Sequence, residues 1–171
     1  MLKKFKLKSL KKLTSKNLEK RDVSNRNNQM KYLGFLVHES YFDNFETLYS
    51  LGEDIGVQRK NVKVFSIVET KRKIPTLRKD QITNKEFNWR GEVQCQTATD
   101  FLEFPFDVLI GFYNSKNEYF DALASKSNAS FKIGFEGADE RLYDLLLNID
   151  PKNMKVFKEE LIKYLKILNK I

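Results

Sequence analysis

The stretch that most limits what this chain can fold into is 106–136, "FDVLIGFYNSKNEYFDALASKSNASFKIGFE". "FDVLIGFY" (106–113) is an almost unbroken apolar run of strand length, and "ASFKIGFE" (129–136) is a second. A strand that is apolar on both sides of its pleat belongs in a sheet covered on both faces. Between the two, "KNEYFDALASKS" (116–127) turns Tyr119, Leu123 and Phe120 inward at helical spacing. Strand, helix and strand at this spacing require a crossover, hence a parallel pair.

The alternation continues on both sides. "KYLGFLV" (31–37) and "NVKVFSIVE" (61–69) read as buried strands, with a helix over 44–56 carried by Phe45, Leu48, Leu51 and Ile55 and stopped at Gly56. The polar stretch 70–96 predicts a long loop with one short or edge strand near 85–95. "TATDFLEF" (97–104) predicts a short helix capped by Thr97 or Thr99, and "RLYDLLLNI" (141–149) leads into a further strand. Asp150 as cap and Pro151 at the first helical position mark a final helix with the stripe Met154, Phe157, Leu161, Leu165 and Leu168. The expectation is a three-layer, doubly wound α/β domain, Rossmann-like, with a mainly parallel sheet of five or six strands. A chain of 171 residues suits one such core.

The charge is unevenly spread. Residues 1–21, "MLKKFKLKSLKKLTSKNLEKR", hold nine of the 31 basic residues and one of the 23 acids, leaving 22 of each sign elsewhere. The whole net charge of +8 therefore sits on this arm. On a helical wheel Leu2, Phe5, Leu10 and Leu13 gather on one side with Leu7 at the margin. The basic side offers Lys3, Lys4, Lys8, Lys11, Lys12, Lys16, Lys20 and Arg21. The domains read as a basic amphipathic arm (1–21), an Asn-rich flexible link (22–30) and a single α/β domain (31–171). A helix of this length orders when its apolar face meets something. Three partners qualify: RNA or a ribonucleoprotein such as the ribosome, an anionic membrane surface, or the domain itself or a second copy of it. Lysine in preference to arginine points to phosphate contacts without base-specific readout. No oligomeric state follows from the sequence.

Lysines interrupt the N-terminus before any leader-like apolar run forms, and no stretch approaches the roughly 20 apolar residues of a membrane span. The single cysteine, Cys95, allows no internal disulfide and no cysteine metal cluster, so no metal or cofactor is expected and a cytoplasmic location fits.

In a doubly wound sheet ligands bind beyond the carboxyl ends of the strands. This makes His38, Glu39, Ser40, Asn114, Ser115, Gly137 and Arg141 a candidate ligand loop set and supports the alternative of a small enzyme or ligand-binding domain. His38 is the only histidine, so any imidazole base is this residue. "GFEGADER" (134–141) has neither the dinucleotide fingerprint nor the phosphate loop, and its carboxylates disfavour an anion. No catalytic residue is assigned. Trp89, beside Phe87 and Arg90, either stacks on a base or closes the edge of the core.

The run "FPFDVLIGFYNSKNEYFDALASKSNASFKIGFEGADERLYDLLLNI", the closing "VFKEELIKYLKILNKI" and Glu39-Ser40-Tyr41-Phe42 after the first strand resemble a family of small uncharacterised proteins from Bacteroidota. The resemblance implies a bacterial cytoplasmic protein and carries over no activity. "FDVLIGFY", its helix and "ASFKIGF" also look like the N-terminal half of heptosyltransferase-type glycosyltransferases, over one strand–helix–strand unit without a donor-binding half.

Overall fold

A computed structural model describes residues 1–171. Six parallel strands form one sheet in the order β3-β2-β1-β4-β5-β6. They are β1 (Leu33–His38), β2 (Val62–Val68), β3 (Gln81–Thr83), β4 (Val108–Phe112), β5 (Phe131–Phe135) and β6 (Leu145–Leu147). The order reverses between β1 and β4, so the crevice favoured for ligands in this architecture opens at their carboxyl ends.

Period-two alternation sorts the strand residues into two cores. Leu33, Phe35, Val37, Val64, Ile110, Phe112 and Ile133 pack under α2 (Phe45–Asp54) and α5 (Met154–Ile167). Leu36, Phe65, Ile67 and Leu109 pack on the other face, under α3 (Gln96–Glu103) and α4 (Glu118–Lys126). Because both faces are covered, β1, β4 and β5 are buried at every position and are predominantly apolar, with His38 and Lys132 as buried exceptions.

Three details differ from the sequence reading. The short strand of the 70–96 stretch is Gln81–Thr83, upstream of the expected 85–95, which instead forms a small turn closed by an antiparallel bridge between Phe87 and Val93. The cap of α5 is Asn153, whose side chain accepts from Val156 N–H at 3.3 Å. Asp150 instead accepts from Lys152 N–H at 2.9 Å and closes the preceding turn with Pro151. Helix α3 begins after Cys95 without a side-chain cap, and Thr99 donates back to the Cys95 carbonyl at 3.2 Å.

The basic N-terminal segment is helix α1 (Leu2–Glu19), and its apolar face is already occupied. Leu10 is fully buried, Thr14 is buried, and Leu7 and Leu18 pack against the α4-side core. Of the three partners that would order this helix, its apolar stripe has met the domain itself. Lys11 reaches Glu118 at the start of α4, and Asn17 reaches Ser125 near its end, so the two helices lie side by side in the same direction. The first turns of α1 therefore project past the start of α4. That overhang leaves Met1, Leu2 and Phe5 exposed, which corrects the wheel that grouped Leu2 and Phe5 with Leu10.

Residues 22–30 are turns fastened at their far end. Lys170, itself buried, donates to the carbonyls of Arg26 at 2.6 Å and Asn28 at 3.0 Å, and Met30 N–H donates to the Lys170 carbonyl at 2.8 Å. The segment expected to be a flexible link is clamped by the end of the chain.

Candidate nucleic-acid interface

The charge pattern of α1 becomes a surface once the helix is docked. Lys4, Lys8, Lys12, Lys16 and Lys20 recur every fourth residue, a ridge with a charge about every 6 Å along the axis. All five are exposed, as is Lys3, and none has a carboxylate within ion-pair distance. Lys11 is exposed too, although it meets Glu118 at 3.3 Å. A partnered helix holds these side chains on a fixed backbone, so a ligand meeting them would not have to order the helix.

Arg21 does not belong to this surface. Its guanidinium grips the Asp144 carboxylate at 3.1 and 2.5 Å and is mostly buried. Asp144 also accepts from Lys132 N–H at 2.8 Å. Below this pair Lys132 is fully buried and donates to the Ala124 carbonyl at 2.6 Å. Burial lowers the Lys132 amine to about 7, with the Arg21 cation pushing the same way and Asp144 opposing. Arg21 is thus a lock between α1 and the sheet, which removes it from the candidate binding residues.

Beside the helix, the turn Asn88–Gly91 holds Trp89 at 64% exposure, with the Arg90 guanidinium 4.9 Å from the indole centre. The alternative in which this indole closes the core does not hold; buried Phe87 does that, edge-on to Tyr119 at 5.2 Å.

The predicted ligand loop set divides among three places. His38 is buried at the carboxyl end of β1, stacked on Tyr113 at 4.5 Å between ring centres. Ser40 Oγ lies 2.6 Å from His38 Nδ1, and Glu69 Oε1 lies 3.3 Å from Nε2. Asn117 Nδ2 donates to the same Glu69 oxygen. Such a chain orients a hydroxyl for proton transfer to imidazole. Its first link is nevertheless local: His38 and Ser40 share the turn in which Tyr41 and Phe42 N–H groups donate to the His38 carbonyl. Glu39 faces away from the imidazole, accepting from Ser66 Oγ at 2.6 Å, Gln81 Nε2 at 3.0 Å and Arg78.

The third place is a polar cavity of about 420 Å³ where α1 roofs the loops after β4 and β5. Lys11 and Thr14 line it from α1, Lys116 and Asp121 from the β4 side, and Asp139 and Arg141 from the β5 side. Asn114 and Ser115 are exposed on the loop leading to it, and Gly137, at φ 98°, turns directly over the Asn114 carbonyl. Arg141 is bonded to Asp139, with contacts from 2.6 to 3.2 Å, which holds that carboxyl below its ordinary range. Burial raises Asp121 to about 7 against the Asn117 N–H bond that favours its anion, with Asp139 adding to the rise. Close by, the Tyr143 hydroxyl is buried without a hydrogen-bond partner, over a glycine, Gly111, whose Cβ would lie 2.3 Å from it.

Glu69, Asp121 and Tyr143 escaped the sequence reading, whereas Asn117 closes the strand-end loop 114–117 that it pointed to. Only Asn117 carried a local signal, as an Asn preceding a helix whose Tyr119 and Phe120 N–H groups it caps at 3.1 and 3.0 Å.

A family model of unknown function, DUF6913, matches residues 6–168, from within α1 to the cap of α5. The chain belongs to that family. No curated protein and no solved structure matches it. The matched span includes most of α1, in keeping with a helix that is built into the domain's core.

Proposed function

We propose that this protein is a non-enzymatic adaptor that docks on RNA, free or within a ribonucleoprotein, through the outer face of α1. The observation that carries the reading is the unpaired lysine ridge on a helix whose apolar face is already satisfied. Desolvating a lysine that has no carboxylate partner breaks no ion pair, and each phosphate it meets releases counterions.

A membrane surface is the weaker partner. Amphipathic helices lie in the headgroup region by sinking an apolar stripe along their length. Here that stripe is covered by α4, and only Met1, Leu2 and Phe5 remain exposed at the overhanging tip. No helix of the chain is long and apolar enough to cross a membrane. The likeness to heptosyltransferase-type enzymes covers β4, α4 and β5 and supports no reading of glycosyl transfer.

The test is fluorescence anisotropy with a labelled RNA at two salt concentrations. If five lysines contact a single strand, affinity falls about 100-fold between about 50 and 200 mM salt. Replacing Lys4, Lys8, Lys12 and Lys16 by Gln should leave a slope of about one phosphate. Absence of binding at the lower salt, or a slope unchanged by the four substitutions, overturns the proposal.

A further inference from the structure

The Trp89 turn is built to present its tip. Its base is closed by the Phe87–Val93 bridge and by Gln94 N–H donating to the Glu86 carbonyl at 2.6 Å. Within it, Asn88 Oδ1 accepts from Arg90 N–H and Glu92 N–H, both at 2.9 Å, while Asn88 Nδ2 holds the Glu92 carboxylate at 2.7 Å. The nearest acid is thereby tied into the turn. Gly91 takes φ 83°, and a Cβ there would come within 3.1 to 3.3 Å of Leu10, including its backbone. The turn is therefore fitted against α1 at mid-helix by a residue that only glycine suits.

At the tip, the only tryptophan of the chain stands mostly in solvent. Large aromatic residues are seldom left so exposed, and nothing in the fold uses this one. Arg90 lies over the indole, holding the ring and adding a cation beside it. The turn that carries this ring packs on α1 at Leu10, so the exposed indole and the exposed lysines belong to one helix-centred unit. An exposed aromatic combined with a row of cations is the pairing by which proteins hold unpaired nucleotides: bases stack on the ring while the cations follow the backbone. Bases inside a duplex are stacked on each other and have no face to offer.

We infer that the α1 surface takes single-stranded RNA, with Trp89 as a base-stacking platform and the lysine ridge tracking the phosphates. The inference rests on the proposed RNA docking and adds to it the state of the strand.

The lone tryptophan is its own reporter. The full-length protein is titrated with an unstructured RNA of about 15 nucleotides and with a duplex of similar charge. Indole emission and the anisotropy of the labelled RNA are followed together. Emission should be quenched in step with binding of the single strand and stay unchanged with the duplex. Trp89→Ala should weaken the single strand about 10-fold or more and the duplex hardly at all, with Trp89→Tyr restoring most of the loss. RNA that binds through the lysines without altering Trp89 emission, or Trp89→Ala equal to the parent on both RNAs, overturns this inference and leaves the docking reading standing. Failure of both RNAs to bind overturns both readings.

Discussion

Asp121 and Lys132 are buried ionisable groups displaced in opposite directions, both to about 7. Their effects on stability meet at neutral pH. Between about 4 and 7 the folded protein holds a proton on Asp121 that the unfolded chain has released, so stability falls as pH rises through that window. Between about 7 and 10.5 the unfolded chain protonates Lys132 and the folded one does not, so stability rises with pH there. The expected result is a shallow minimum near neutral pH in urea midpoints measured from pH 5 to 10. Asp121→Asn should flatten the acid limb and Lys132→Met the alkaline limb, each leaving the other in place. The residues behind this behaviour were illegible in the sequence. Nothing in "EYFDALASK" sets Asp121 apart from any helical acid, and Lys132 occupies an alternating strand position like its apolar neighbours. Their character comes from what α1 and β6 lay over them, contacts that join residues more than 100 apart at Arg21 and Asp144.

At the level of elements, the parallel strands and their covering helices were legible because the central strands are predominantly apolar on both faces of the pleat, with single polar residues such as Lys63 and Lys132 the exceptions. The short edge strand β3 was expected but misplaced, because three residues at the edge of a sheet are too few to show a period and its neighbours Lys79 and Asp80 are polar. The fate of α1 was legible only as a choice. Amphipathicity states that a helix has a face to bury, and the surface that buries it is a tertiary fact. That surface makes a specific demand on two side chains. Leu10→Ala removes a fully buried side chain and should cost about 2–5 kcal/mol. Arg21→Ala removes the close guanidinium from the buried Asp144 carboxylate, leaving only the Arg26 guanidinium at 3.6 Å and the Lys132 N–H, and should cost up to about 3–5 kcal/mol. Amide hydrogen exchange is the informative measurement. Both variants should lose protection first in residues 2–19, with the strands β1 and β4 still protected; uniform loss across the sheet would mean that α1 folds and unfolds with the whole domain.

On the scale of the whole molecule, two properties that a sequence keeps separate are fused in one helix: all of the net charge and part of the core seal. Residues 1–21 look like a cationic tag on a neutral body, and a tag invites deletion. Removing them would uncover the α4 surface beneath Leu10, strip Asp144 of the Arg21 guanidinium and leave Lys132 under an open flank. The truncated chain is therefore expected to aggregate or to lose several kcal/mol of stability, and its failure to bind RNA would say nothing about charge. Substituting the outer lysines avoids this, because Lys4, Lys8, Lys12 and Lys16 are exposed and pair with no acid. Their replacement by Gln should leave the urea midpoint within the small range usual for surface changes while reducing the salt slope of the proposed RNA binding to about one phosphate. Thermal and urea unfolding of the two variants beside the parent separates the outcomes. A stable deletion would show that the helix is dispensable to the fold, and a destabilised four-Gln variant would show that its lysines serve the fold as well as the surface.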